Sequence, residues 1–154
     1  MAKDILKESA IPAGAWAVIY CVATETFLFG KRSPAVNKGG TWNFFGGRVD
    51  RGELPRAALV RELAEEAGLK VKDEELIELH WVPGLSGDGS FVRDMHYYLL
   101  LLDSEFVPSL NFEHSDFRWF KHNELPAGFN RPTSIAIKGG ILGKAKSMAN
   151  KALE

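Results

Sequence analysis

The chain has 154 residues, 45% of them hydrophobic and 25% charged, a composition that suits one globular domain with a real core and excludes a chain too polar to collapse. Nineteen Lys and Arg against twenty Asp and Glu leave a formal charge of −1, so no broad basic surface for a nucleic-acid polymer is expected, although a small anion could still bind locally. The one cysteine, Cys21, excludes an internal disulfide and a zinc site built on several thiolates.

Residues 1–12 are charged, lack a continuous apolar run and read as an N-terminal tail or short arm to a single domain; no later stretch is long and apolar enough for a membrane span. A cytoplasmic protein with no membrane partner is the expectation. Segments 15–22 and 26–30, rich in β-branched and aromatic residues and separated by Ala23-Thr24-Glu25, predict a β-hairpin. A Pro/Gly-bearing loop over 33–40 leads to a short aromatic strand at 41–45, after which Gly46-Gly47 predicts a sharp turn. The best helix candidate is 54–67, with Pro55 in its first turn, Gly68 as its stop and Ala57, Val60, Leu63, Ala64 and Ala67 as its apolar stripe. Strands are expected at 75–82, 92–102 and 116–120, the second buried on both faces through its HYYLLLL run. Pro83, Gly84, Gly87 and Gly89 mark a mobile connection between the first two of these. A last helix over about 132–151 is weakened by Gly139-Gly140 and Gly143. Strands and helices in this order suggest a mixed sheet between helices, an α/β or α+β sandwich.

On a helical wheel, Glu62, Glu65 and Glu66 fall within one arc of the 54–67 helix, opposite the predicted stripe. Like charges spaced three and four residues apart repel, unless a cation sits among them. A hard divalent ion such as Mg²⁺, which prefers oxygen ligands and bridges carboxylates to phosphates, would turn that repulsion into binding.

Gly47, Glu53, Arg61, Glu62, Leu63, Glu65, Glu66, Gly68 and Leu69 fit the pattern G-x5-E-x7-R-E-U-x-E-E-x-G-U at every position, U being a bulky aliphatic residue. A chance match in a chain of this length is on the order of one in ten million. The segment 47–69 thus resembles the signature of the Nudix hydrolase family, with a slight preference for its MutT-like branch. The resemblance implies an α/β/α sandwich with a mixed central sheet, and a Mg²⁺-dependent hydrolase, Mn²⁺ being the alternative ion. It makes Glu62, Glu65 and Glu66 metal ligands, Glu62 also a candidate general base, and the carbonyl of Gly46 or Gly47 a further ligand. Glu53 and Arg61 become the pair that orients the loop and the catalytic glutamates. No covalent enzyme nucleophile is needed for water to attack a diphosphate in such a site.

Glu113 precedes HSDFRWF, where MutT-like relatives place another metal-binding acid; Asp116 is the second choice. Asn130, in LPAGFNRPTSIA, resembles the Asn with which such enzymes read a purine edge, and equally suits a turn. Pro83, fifteen residues after Gly68, resembles the proline marker of the ADP-ribose branch. Arg32, with Lys31 beside it, offers a cation for a terminal phosphate. Trp42 and Phe44 precede the signature and are candidates for a base-stacking wall. The four histidines show no spacing to one another that suggests a metal site. The partner expected is a small nucleotide, with a homodimer open because dimers are common among relatives. A nucleoside triphosphate cut to monophosphate and pyrophosphate is the leading reaction, and ADP-ribose or a nucleotide sugar the alternative substrate. A non-catalytic nucleotide sensor would be expected to have lost its glutamates, and an isoprenoid-diphosphate isomerase would need a better-placed cysteine than Cys21.

Overall fold

The computed structural model describes residues 12–84 and 93–152. The arm predicted at 1–12 lies outside the described residues except for Pro12, as do Gly87 and Gly89 of the expected mobile connection. Strand β1 (Ala13–Cys21) and strand β2 (Thr26–Arg32) form the predicted hairpin, but pair only at Tyr20–Phe27 and Cys21–Thr26 before they diverge. The chain after residue 41 fills the opening. Its first piece, β3 (Trp42–Asn43), pairs with β2, and its second, β4 (Phe45–Val49), pairs with β1 from Ala17–Phe45 to Ala13–Val49. The turn expected at Gly46-Gly47 is therefore corrected: both glycines lie within a strand, because the fork needs a chain that changes partner at Phe44 and continues straight.

Strands β5 (Ile77–Val82), β6 (Asp94–Leu102) and β7 (His114–Lys121) complete the sheet. β6 runs parallel to β1 along all nine residues, β5 is antiparallel to β6, and β7 is antiparallel to β2. The result is a seven-stranded mixed sheet in the order β3-β2-β1-β6-β5, with β4 on β1 and β7 on β2. Strict alternation along β1 divides the core in two. Ala15, Ala17 and Ile19 face helix α1 (Pro55–Ala67), meeting Leu59, Leu63 and Ala67. Trp16, Val18 and Tyr20 face helices α2 (Arg131–Lys138) and α3 (Ile141–Ala152), meeting Ala136, Leu142 and Ala145. This is the expected α/β/α sandwich.

Two helix predictions are corrected. The buried stripe of α1 is Ala58, Leu59, Leu63, Glu66 and Ala67, while Ala57 and Ala64 are exposed. The leucines four residues apart bury the most apolar area and so fix the rotation of the helix, whereas an alanine gains little on either face. Glu66 consequently belongs to the buried face, not to a solvent face opposite it. The long last helix is two helices broken at Gly139-Gly140, where Gly140 takes φ 84°; Gly143 remains inside α3. Among the described residues no helix is long and apolar enough to cross a membrane.

Candidate active site

The site forms where α1 crosses β4. Gly46 has φ 145°, and a Cβ there would lie 2.1 Å from the Ala15 carbonyl oxygen, so only glycine lets the strand approach β1 this closely. A Cβ on Gly47 would stand 3.1 Å from the carboxyl carbon of Glu62. The glycine pair therefore brings bare backbone against the first glutamate of the helix.

Arg61 ties the loop before α1 to that helix. Its Nε and Nη2 donate to the two oxygens of Glu53 at 3.0 and 2.9 Å, Nη1 donates to Glu62 at 3.0 Å, and Nη2 also reaches the carbonyl of Arg48 at 3.2 Å. Glu53 in turn accepts from the backbone N–H of Asp50 at 2.9 Å. The guanidinium holds the Glu53 carboxyl below the usual carboxylate range, with the Asp50 N–H adding to the effect. Arg61 is correspondingly raised above its own high value, chiefly by its bond to Glu53.

Beneath this network lies a buried pair. The side chains of Glu66 and His114 are 2% and 0% exposed, and Glu66 Oε1 stands 3.7 Å from His114 Nδ1. Among the described residues neither oxygen of Glu66 has a hydrogen-bond partner, nor has Nδ1. Burial, then the neighbouring Glu62 and Glu113, drives the Glu66 carboxyl well above its ordinary range. Burial, then the charge of Arg32, lowers His114 to about 4, so its ring is neutral. Ligand atoms of Glu66, Glu113 and His114 all lie within 4.8 Å of one another. A buried carboxylate without a donor is costly, and a divalent cation satisfies it. The donor set present fits a metal ion.

Above the pair opens a cleft of about 490 Å³ into which Gly46, Gly47, Glu62 and Glu113 face, with Arg32, Arg48, Arg61 and Arg93 around them. Carboxylates beside a ring of cations suit a metal-bound polyphosphate. A second cavity of about 480 Å³ along β5 and β6, lined by His80, Trp81 and Tyr97 among others, contains none of the cluster residues.

The structure thus brings together Glu62, Glu66, Glu113, Gly46, Gly47 and Arg32, with Glu53 and Arg61 behind them. Glu65 is more exposed and lies 3.5 Å from Arg61. Asp116 is exposed and its carboxylate accepts from the adjacent Phe117 N–H. Lys31 diverges from Arg32, its ammonium standing 5.8 Å from the Trp42 ring. The stacking wall predicted from Phe44 is corrected: Phe44 is fully buried against Phe29, and Trp42 packs on Phe120 in the same core, because residues two apart in an extended chain share a face. Asn130 caps α2, its Oδ1 accepting from the Thr133 N–H at 3.2 Å. Pro83 is exposed just beyond β5 and does not line the cleft. His114, Asn43, Arg48, Asp50 and Arg93 escaped the sequence reading. For His114 a signal existed, since it follows Glu113 directly, but comparing histidines only with one another could not find it.

The NUDIX domain family model matches residues 12–137. A CTP pyrophosphohydrolase from Escherichia coli is 40% identical over 53 residues, 34% of this chain and 39% of that protein. An 8-oxo-dGTP diphosphatase from Proteus vulgaris is 34% identical over 62 residues, 40% of this chain and 55% of that protein. The chain thus spans between 39% and 55% of the length of these two curated relatives. The crystal structure of a MutT Nudix hydrolase from Burkholderia pseudomallei superposes with a TM-score of 0.67 at 25% identity, covering 84% of this chain and 98% of that one. With the signature, the sandwich and a family model spanning most of its length in agreement, the chain is a member of the Nudix family.

Proposed function

We propose that the protein is a divalent-metal-dependent hydrolase that cuts a phosphoanhydride bond in a compound containing a nucleoside diphosphate, with a nucleoside triphosphate as the leading substrate and Mg²⁺ as the leading ion. The observation that carries this reading is the buried Glu66 carboxylate, both oxygens unpartnered among the described residues, beside Glu62 and Glu113, which line an arginine-rimmed cleft. The names of the relatives, a CTP pyrophosphohydrolase and an 8-oxo-dGTP diphosphatase, support a nucleoside triphosphate. ADP-ribose and nucleotide sugars have less support, since they rest on Pro83, which stands apart from the cleft.

Glu62, Glu66, Glu113 and a carbonyl of Gly46 or Gly47 are the groups that would hold the ion, with Glu65 at the exposed edge. The bound ion would neutralise phosphate oxygens and help to activate water. The chain supplies the rest. Arg32 and Arg93 meet the phosphates from the sides, and Arg61 holds Glu62 in place while Glu53 holds Arg61. Glu62 is positioned to accept a proton from the attacking water. Water adds to one phosphorus, the bridging P–O bond breaks, and the pyrophosphate portion leaves as the nucleoside monophosphate is released.

A panel of nucleoside triphosphates, 8-oxo-dGTP, ADP-ribose and nucleotide sugars, assayed with Mg²⁺ for nucleoside monophosphate formation by chromatography and for pyrophosphate release, tests the proposal. Release of pyrophosphate from a triphosphate is expected. Turnover of ADP-ribose alone would move the assignment to the other branch, and nucleotide binding without turnover of any member would replace the enzyme by a sensor.

A further inference from the structure

Residue Asn43 ends β3, and its amide is fixed on both sides. Nδ2 donates to the Phe44 carbonyl at 2.7 Å, which leaves Oδ1 facing His114 Nε2 at 3.2 Å. An amide oxygen can only accept, so the His114 ring carries a proton on Nε2; among the described residues no acceptor lies within hydrogen-bond distance of Nδ1, which is therefore the nitrogen that presents its lone pair. The ring has little freedom to turn away. It packs 4.8 Å from the Phe45 ring, and a Cβ on Gly30 would lie 2.7 Å from its Cδ2.

That lone pair points at another acceptor, Glu66 Oε1, 3.7 Å away and equally without a partner. Two buried acceptors facing each other need a proton or a cation between them. A shared proton would draw them to a hydrogen-bond separation of about 2.7–3.2 Å, so 3.7 Å is too long for it. Two ligands each about 2.1 Å from one ion stand roughly 3–4 Å apart, and an oxygen of Glu113 joins them within 4.8 Å. We propose that His114 Nδ1 is itself a ligand of the ion held by Glu66 and Glu113, kept in that tautomer by Asn43. It gives the site a preference for ions that accept nitrogen, Mn²⁺ among them, over Mg²⁺, which keeps to oxygen. The assignment rests on the reading above that these carboxylates bind a divalent ion.

The test uses the full chain with Mn²⁺ alone as probe, read by pulsed electron paramagnetic resonance and by calorimetry. The wild type should show modulation from a directly bound ¹⁴N, converted to the ¹⁵N pattern when histidine is ¹⁵N-labelled. In His114→Gln the nitrogen signal should vanish and Mn²⁺ affinity fall by about tenfold or more, while Mg²⁺ affinity changes by less than about threefold. The labelled wild type decides the matter even where the variant folds poorly. Bound Mn²⁺ with no nitrogen coupling would overturn the role of His114 and leave the carboxylate site standing. No Mn²⁺ binding by the wild type would overturn the carboxylate site and this ligand together.

Discussion

Replacing Arg61 by Lys probes the joint between loop and helix. Arg61 donates four hydrogen bonds, two of them a fork on Glu53, and a lysine can keep one partner but cannot span Glu53 and Glu62 together. The side chains involved are 31%, 25% and 14% exposed for Arg61, Glu53 and Glu62, so solvent screens part of each interaction. Losing two charge-assisted bonds in this setting costs about 1–2 kcal/mol, or about 2–8 °C in Tm for a domain of this size. Turnover should fall further, about 10- to 100-fold, because Glu62 loses the group that orients it. Thermal denaturation and steady-state kinetics of Arg61→Lys, Glu53→Gln and the double variant form the assay. The two single effects should couple by at least about 0.5 kcal/mol, since the residues share one network. Additive effects, or an Arg61→Lys protein with the turnover of the wild type, would refute the reasoning.

Gly47→Ala should leave Tm nearly unchanged, because the flexible Glu62 carboxyl can move a few tenths of an ångström from the new methyl group, yet weaken metal binding severalfold in calorimetry. The raised pKa of Glu66 sets a pH dependence for the metal-free protein. Above the ordinary carboxyl range the unfolded chain has released a proton that folded Glu66 still holds; the lowered His114 offsets this below about 6.5, so stability in EDTA should fall as pH rises from about 7 towards 9. Denaturant titrations should show that slope flattened in Glu66→Gln, and a divalent ion should offset it by binding the ionised folded form. Asn130→Ala should lower stability by about 0.5–2 kcal/mol through loss of the α2 cap, whereas Asn130→Asp keeps an acceptor and should hold its Tm. A rise in KM for purine substrates in Asn130→Asp at constant Tm would show that the same amide also reads a base.

The chemistry around α1 was legible through the signature: Glu53, just before the helix, meets Arg61 and Arg61 meets Glu62 in the structure, as the resemblance implies. The sandwich followed from the order of strand and helix segments, and its α/β/α form from the resemblance to the family. What stayed hidden depended on tertiary placement. The rotation of α1 was set by Leu59 and Leu63 against the sheet, and only that rotation reveals Glu66 as buried. Phe44 and Trp42 were candidates for a stacking wall until the fork between β1 and β2 shows both packed in the core. His114 and Asn43 are 71 residues apart, and their hydrogen bond exists only because β7 and β3 both border β2. Arg93 lines the cleft from the residue just before β6, a position the signature does not address.

Nucleoside triphosphate turnover across a Mg²⁺ titration, for wild type and Glu66→Gln, is the measurement that bears most directly on the proposed site. Wild-type turnover should be absent in EDTA and saturate with the ion, while a folded Glu66→Gln protein should fall at least about 100-fold, as expected when a buried carboxylate needed to hold the ion is neutralised. Equal turnover by the two proteins, or turnover that persists in EDTA, would contradict the assignment of this cluster as the catalytic metal site.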